Sequence, residues 1–277
     1  MLIVNKDGFL EYCIGGKNYY DNSFNIAYEG KRDIGSTIKP ILYYEALKCG
    51  YSINKTFLSK PYNLIYKDTS YTFNNFSDIY PTKPINMAYA LATSDNIYAI
   101  KMHLSIGMQT LVNHLKLYNI KAQALPSLAL GSVSMSLNQL IQIYQCFQNN
   151  GLYHQIKVIN KIVTPNQTIT IKNKNTQLLV ENYTCIISSL MMGMFDQSIA
   201  SNVTGASIAN SLPKYTKGKS GLTNYDSYMI GYNNDYIIGC WAGYIDNKLL
   251  TDNSLKALPK KLFVSYFTNL PMQPQQE

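Results

Sequence analysis

The residues best suited to chemistry lie in Arg32-Asp33-Ile34-Gly35-Ser36-Thr37-Ile38-Lys39-Pro40, which reads as a glycine turn feeding a helix. Positions i and i+3 share a helix face, so the Ser36 hydroxyl and the Lys39 amine can meet. A serine hydroxyl is a weak nucleophile until a base takes its proton, and a desolvated, neutral lysine is such a base. The unpaired amides of a helix N-terminus beside that hydroxyl suit the negative charge that develops during acyl transfer. Spacing alone does not single this pair out. Ser52/Lys55 and Ser211/Lys214 repeat it, and 22 serines with 23 lysines in 277 residues give about two such pairs by chance.

Two further motifs follow Ser36/Lys39 along the chain: Ser94-Asp95-Asn96 and Lys219-Ser220-Gly221. Ser-x-Asn also begins at Ser23, Ser52 and Ser136, whereas Lys-Ser/Thr-Gly occurs once. Each copy in the series falls where chemistry can use it: a helix start, a break between helices, and an edge-strand candidate. Ser94 also reads as the N-cap of a helix opening at Ile97, and Asn96 as a turn residue; both roles can coexist with catalysis. Of 24 basic residues, only Arg32 is an arginine. A planar, multi-donor fork that holds a carboxylate or backbone carbonyls is the physical reason to want arginine there.

The elements that must position these residues are strands at both chain ends around a helical middle. Leu2 to Asn5, the turn Asp7-Gly8, and Phe9 to Ile14 predict a hairpin. Helical periodicity runs from Ser36 through Leu47, with Gly50 as its C-terminal stop. Residues 51–84, with prolines at 61, 81 and 84, predict an irregular lobe. Helices are expected at Ile85–Leu91, Ile97–Ile106, Gln109–Leu117, Leu137–Phe147 (capped by Ser136) and Leu178–Met194. A small hairpin is expected from Ile156–Val163 and Thr168–Ile171. Tyr215–Thr223, Tyr228–Tyr232 and Asp235–Ile245 predict an antiparallel meander, closed by a helix over Leu262–Leu270. The class is therefore α+β, with one antiparallel sheet built from both chain ends, helices on its faces and a helical lobe.

Composition narrows the function. A hydrophobic content of 46% excludes a disordered chain. The net charge of +8 comes without lysine runs or basic–aromatic interleaving, so no nucleic-acid site is expected. Five cysteines without Cys-x-x-Cys, and three histidines without ligand spacing, predict neither a disulfide framework nor a metal site. No apolar run reaches 18 residues and no signal peptide follows Met1, so any membrane attachment is expected to lie in a segment missing from this chain.

Taken together, the motifs resemble those of penicillin-binding protein transpeptidases and serine β-lactamases. Phe24-Asn25-x-Ala27 before the Ser36 motif, Ala90-Leu91-Ala92-x-Ser94-x-Asn96, Ser127-Leu128-Ala129-Leu130-Gly131-Ser132, Asn150-Gly151 and Trp241-Ala242-Gly243-Tyr244 are similar to the class A penicillin-binding proteins. The resemblance spans nearly the whole chain and implies one β-lactamase/transpeptidase-like domain over residues 1–277. The glycosyltransferase domain and membrane anchor of that family are absent from this chain. It also implies that Ser36 is the acylated nucleophile, Lys39 its base and Ser94 a proton relay to the leaving amine. Asn96 would hold the substrate amide. Lys219 and Ser220 would sit on the wall that meets the terminal carboxylate, Gly221, Leu222 and Thr223 would also bind substrate, and the Ser36 and Leu222 amides would form the oxyanion hole. Residue 222 is commonly threonine in the family; here it is leucine. The implied activity is D,D-transpeptidation of peptidoglycan stem peptides outside the bacterial cell membrane, with β-lactam antibiotics as ligands and no cofactor. A D,D-carboxypeptidase or slow β-lactamase, and a non-catalytic β-lactam sensor or wall-binding module, are the alternatives. The glutamate that class A β-lactamases place after Ser-x-Asn is missing: between Asn96 and Lys219 the only carboxylates are Glu181 and Asp196.

Overall fold

Leu2–Asn5 forms strand β1, and the Asn5 side chain accepts from the Asp7 and Phe9 amides to turn the chain into β2, Leu10–Cys13. The remaining strands of the sheet come from the other end of the sequence: β3 (Lys217–Leu222), β4 (Asp226–Tyr232) and β5 (Tyr236–Gly243). The computed structural model describes residues 1–20, 23–76, 78–171 and 175–269, and pairs these strands antiparallel in the order β3-β4-β5-β1-β2. Lys219 therefore lies on an edge strand.

Strand periodicity sorts the side chains into two cores. Leu2, Val4, Tyr228, Ile230, Tyr232 and Ile237 face the helical lobe, whereas Ile3, Met229, Ile238 and Cys240 pack on Phe263 and Phe267 of the C-terminal helix. Both faces of β4 are buried, so its middle, Tyr228-Met229-Ile230, reads as an apolar run rather than an alternating one.

In the lobe, α1 (Lys39–Lys48) is buried from Lys39 to Leu47, which makes it the central helix rather than a surface one. It packs on α3 (Asn96–Ile106), α4 (Met108–Lys116) and α6 (Glu181–Met192). The short α2 (Met87–Thr93) precedes α3, and α5 (Leu137–Gln148) opens with a reciprocal capping box between Ser136 and Gln139.

Four expectations need correction. Residues 51–84 contain a hairpin, Tyr62–Tyr66 with Thr69–Phe73, turned at Lys67-Asp68. Both turn residues have positive φ (48° and 61°) without glycine, so the usual sequence signal for such a turn is missing. The second small hairpin is confined to Lys161–Val163 and Thr168–Thr170. Helix α6 starts at Glu181, after an extended approach. The closing helix α7 runs Asn253–Asn269, nine residues longer at its start than expected, because it carries Pro259 in its interior; Leu270 lies outside the described residues.

Candidate active site

Gly35–Ile38 is a turn of 3-10 helix, and the Lys39 amide bonds Ser36 O at its end. Side chains at i and i+3 eclipse in that geometry, which stacks Ser36 over Lys39 more directly than an α-helix would. Close backbone packing holds the turn. A Cβ at Gly131 would lie 2.0 Å from Gly35 O, and one at Gly221 would lie 2.7 Å from Ile34 O. These two glycines let the Pro126–Leu130 turn and β3 close on the Ser36 turn from opposite sides.

The Lys39 amine is the hub. It is fully buried (0% exposed) and donates to Ser94 O (2.6 Å), Asn96 Oδ1 (2.8 Å) and Ser94 Oγ (3.2 Å). Lys219, also 0% exposed, donates to Ser94 Oγ (2.9 Å) and Ser220 O (2.9 Å). One hydroxyl thus bridges two buried amines. Burial pushes the Lys39 ammonium down to about 7, against a weaker upward pull from Asp95. Lys219 falls well below the usual lysine range through burial and then the charges of Lys39 and Lys260. A neutral Lys39 near pH 7 is what a general base needs. The Ser36 side chain makes no hydrogen bond among the described residues, so its hydroxyl is uncommitted.

Ser94 does not cap α3. Asp95 does, accepting from the Tyr98 amide, and Asn96 is the first residue of that helix. Ser94 instead ends α2 in the left-handed region (φ 60°, ψ 40°), a conformation that costs a serine energy and turns both its carbonyl and its hydroxyl toward the lysines. A buried network fixes this break. Asp95 Oδ2 accepts from Ser59 Oγ (2.6 Å) and Asn75 Nδ2 (2.8 Å), and Asn75 Oδ1 accepts from the Asn96 amide (2.9 Å).

Ser36, Ser94, Asn96, Ser220, Gly221 and Leu222 line one cleft of about 640 Å³, and the buried Lys39 and Lys219 lie behind its lining, bonded to Ser94 Oγ. Phe76, Ile79 and Pro81 make an apolar wall, and Lys256 and Lys260 of α7 a basic one. Thr223 N donates to Asp226 O across the β3–β4 turn, so strand alternation points the Leu222 N–H off the sheet edge. The Leu222 backbone also abuts Gly35, beside the Ser36 amide. Thr223, expected to bind substrate, is outside the lining. Its hydroxyl accepts from the Tyr225 and Asp226 amides and serves the turn. Among the described residues, Asp95 is the one carboxylate lining the cleft, and its bonds are taken; Glu181 and Asp196 lie outside it.

The rival Ser-x-x-Lys pairs are elsewhere. Ser52 and Lys55 share an exposed turn, and Lys214 lines a separate shallow groove. Arg32 does what its fork suits: Nε donates to Asp226 Oδ1 (2.8 Å) and Nη2 to Tyr244 O (3.0 Å), and Trp241 Nε1 donates to the same Asp226 oxygen (2.8 Å). Asn75, Lys256 and Lys260 were not foreseen. The two lysines have i, i+4 spacing, a signal hidden by starting the last helix too late.

The chain matches the family described as "Penicillin binding protein transpeptidase domain" over residues 4–251. It is 35% identical over 269 residues to penicillin-binding protein 2D of Bacillus subtilis, covering 94% of this chain and 39% of the relative. To penicillin-binding protein 1A of Aquifex aeolicus it is 29% identical over 254 residues, covering 88% and 34%. The chain thus spans well under half the length of these relatives. Among solved structures, penicillin-binding protein 1A of Haemophilus influenzae superposes with a TM-score of 0.89 at 20% identity, over 100% of this chain and 48% of that one. PonA1 of Mycobacterium tuberculosis in complex with penicillin V superposes at 0.77 with 18% identity, over 96% of this chain and 76% of that one. At such identities the likeness speaks to the fold, and it is the family match over nearly the whole chain that decides membership: this protein belongs to the penicillin-binding protein transpeptidase domain family.

Proposed function

We propose that residues 1–277 are one serine-type D,D-transpeptidase domain acting on peptidoglycan stem peptides outside the cell membrane. The observation that carries this reading is a single hydroxyl, Ser94 Oγ, shared by two buried amines behind the cleft that Ser36 lines. Ser36 Oγ attacks the carbonyl of the terminal D-Ala-D-Ala bond as neutral Lys39 takes its proton. The oxyanion forms beside the Ser36 and Leu222 amides. The C–N bond breaks while Ser94 passes a proton to the departing D-alanine amine, leaving an ester on Ser36. Asn96 holds the substrate amide, and Lys219 and Ser220 face its carboxylate. An amine of a second stem peptide then attacks the ester, its proton leaves by the same relay, and Ser36 is regenerated. A positioned base contributes about 10²–10⁴-fold and an oxyanion donor about 10²–10³-fold.

A β-lactam acylates Ser36 in the same way, by opening its ring. The one carboxylate lining the cleft among the described residues, Asp95, is committed to Ser59, Asn75 and the Tyr98 amide, which favours transfer to an amine over transfer to water. No described helix is long and apolar enough to cross a membrane.

The test is intact mass and peptide mapping after exposure to labelled penicillin. One adduct on Ser36, lost in Ser36→Ala, is expected. Label on Ser52 or Ser211, or full labelling of Ser36→Ala, overturns the assignment. D-Alanine release from a stem-peptide donor, with and without an acceptor amine, separates transfer from hydrolysis and from mere binding.

A further inference from the structure

Leu222 presents no hydroxyl where a carboxylate-binding wall calls for donors, yet the basic side of the cleft holds more than its motif residues. Three lysines converge there, and two are committed. Lys219 serves Ser94 and Ser220 O, and Lys260 Nζ donates to Thr204 O (2.6 Å). Lys256 lines the cleft, and its ammonium has neither a hydrogen-bond nor an ion-pair partner among the described residues. Its position follows from the sheet. Leu222 pairs with Ser227 in the β3–β4 register, and Ser227 Oγ donates to Lys256 O (2.7 Å), which pins the start of α7 to the level of residue 222. Ser220, two residues earlier on β3, lines the same cleft with a hydroxyl that is likewise uncommitted among the described residues.

We propose that Lys256 is a substrate-binding residue that, with Ser220, grips the terminal carboxylate of the donor peptide or β-lactam and takes over the contact that a side chain at 222 does not make. The proposal rests on the transpeptidase reading of the cleft. A carboxylate has two oxygens, and Lys256 and Ser220, both uncommitted among the described residues and one of them a cation, match them. Among the described residues no free carboxylate lines the cleft to compete, since Asp95 is already bonded. An ammonium is a point charge on a flexible stem, so it tolerates carboxylates at somewhat different angles, as between an acyclic peptide and a fused ring.

The test compares benzylpenicillin with its methyl ester as acylating agents of the parent, Lys256→Gln and Lys256→Arg. The readout is the acid-over-ester ratio of second-order rate constants for labelling Ser36. A hydrogen bond to a charged group leads us to expect that ratio to fall about 10-fold or more in Lys256→Gln and to be largely kept in Lys256→Arg. Leu222→Thr, added to Lys256→Gln, restores part of it. An unchanged ratio in Lys256→Gln, whether or not both rates fall, overturns the role of Lys256 while leaving the transpeptidase reading intact. A parent that is not acylated at Ser36 overturns that reading and this proposal with it. Labelling to one adduct per molecule reports that each variant is folded.

Discussion

Asn96→Asp places a carboxylate where Asn96 Oδ1 now stands 2.8 Å from Lys39 Nζ. Lys39 is sealed from solvent, so the new charge acts on it with little screening on that side. A pair of unit charges about 4 Å apart in a medium of effective dielectric about 20 attracts by about 4 kcal/mol. At about 1.4 kcal/mol per pKa unit this is a rise of about 3 units, and because Asn96 is itself half-buried we take about 2. The sign is set by the role of Lys39. Acylation needs its free base, so the parent rate rises with pH through about 7 to a plateau. In the variant that limb moves to about 9, the rate at pH 7 drops about 50-fold, and most of the titrating loss returns by about pH 10. Any loss from a weakened grip on the substrate amide lowers the whole curve without moving it. The assay is stopped-flow acylation by a fluorescent penicillin between about pH 5.5 and 10. A variant curve displaced downward with its limb still at about 7 would refute Lys39 as the titrating base.

Three further outcomes are expected. The penicilloyl-enzyme persists for minutes in buffer without an amine, measured by mass; turnover within seconds would mean that some group activates water. Leu222→Thr raises the acylation rate constant up to about ten-fold, a modest gain where Lys256 already serves the carboxylate; a variant no faster than the parent would show that residue 222 does not limit. Asp226→Ala strands the Arg32 and Trp241 donors of a pair whose side chains are 13% and 4% exposed, at a cost of about 3–5 kcal/mol. Calorimetry should show the melting temperature falling by roughly 6–15 °C, and a fall of less than about 2 °C would show the pair to be dispensable.

Much of this was legible in the order of residues because the physics was local. Strand-like runs separated by short turns announced β3 to β5, and the Ser136 cap announced α5. The three motifs announced the site because each needs a particular residue type. What escaped was set by tertiary context. Lys67-Asp68 makes a turn of positive φ that glycine or asparagine usually signals. Pro259 hid the first half of α7, and with it Lys256 and Lys260, because a mid-helix proline normally argues for a boundary. Asp95 rather than Ser94 caps α3, since both are good caps and only the left-handed turn at Ser94 decides between them. Thr223 looked available next to a wall residue, but its hydroxyl is spent on its own turn.

The placement of β1 between β5 and β2 bears on the life of the chain before it is folded. Synthesis runs from the N-terminus, so Leu2–Asn5 emerges before its neighbour Tyr236–Gly243 and waits for it over more than 200 residues. Such long-range pairing is slow and leaves an apolar strand unpartnered meanwhile. Ser36, Lys39 and Ser94 are all translated early, but the second amine on Ser94 arrives only with β3. Under the proposed mechanism, a nascent or C-terminally truncated chain would carry the nucleophile without the assembled relay, and covalent penicillin labelling would count only molecules whose two ends have met.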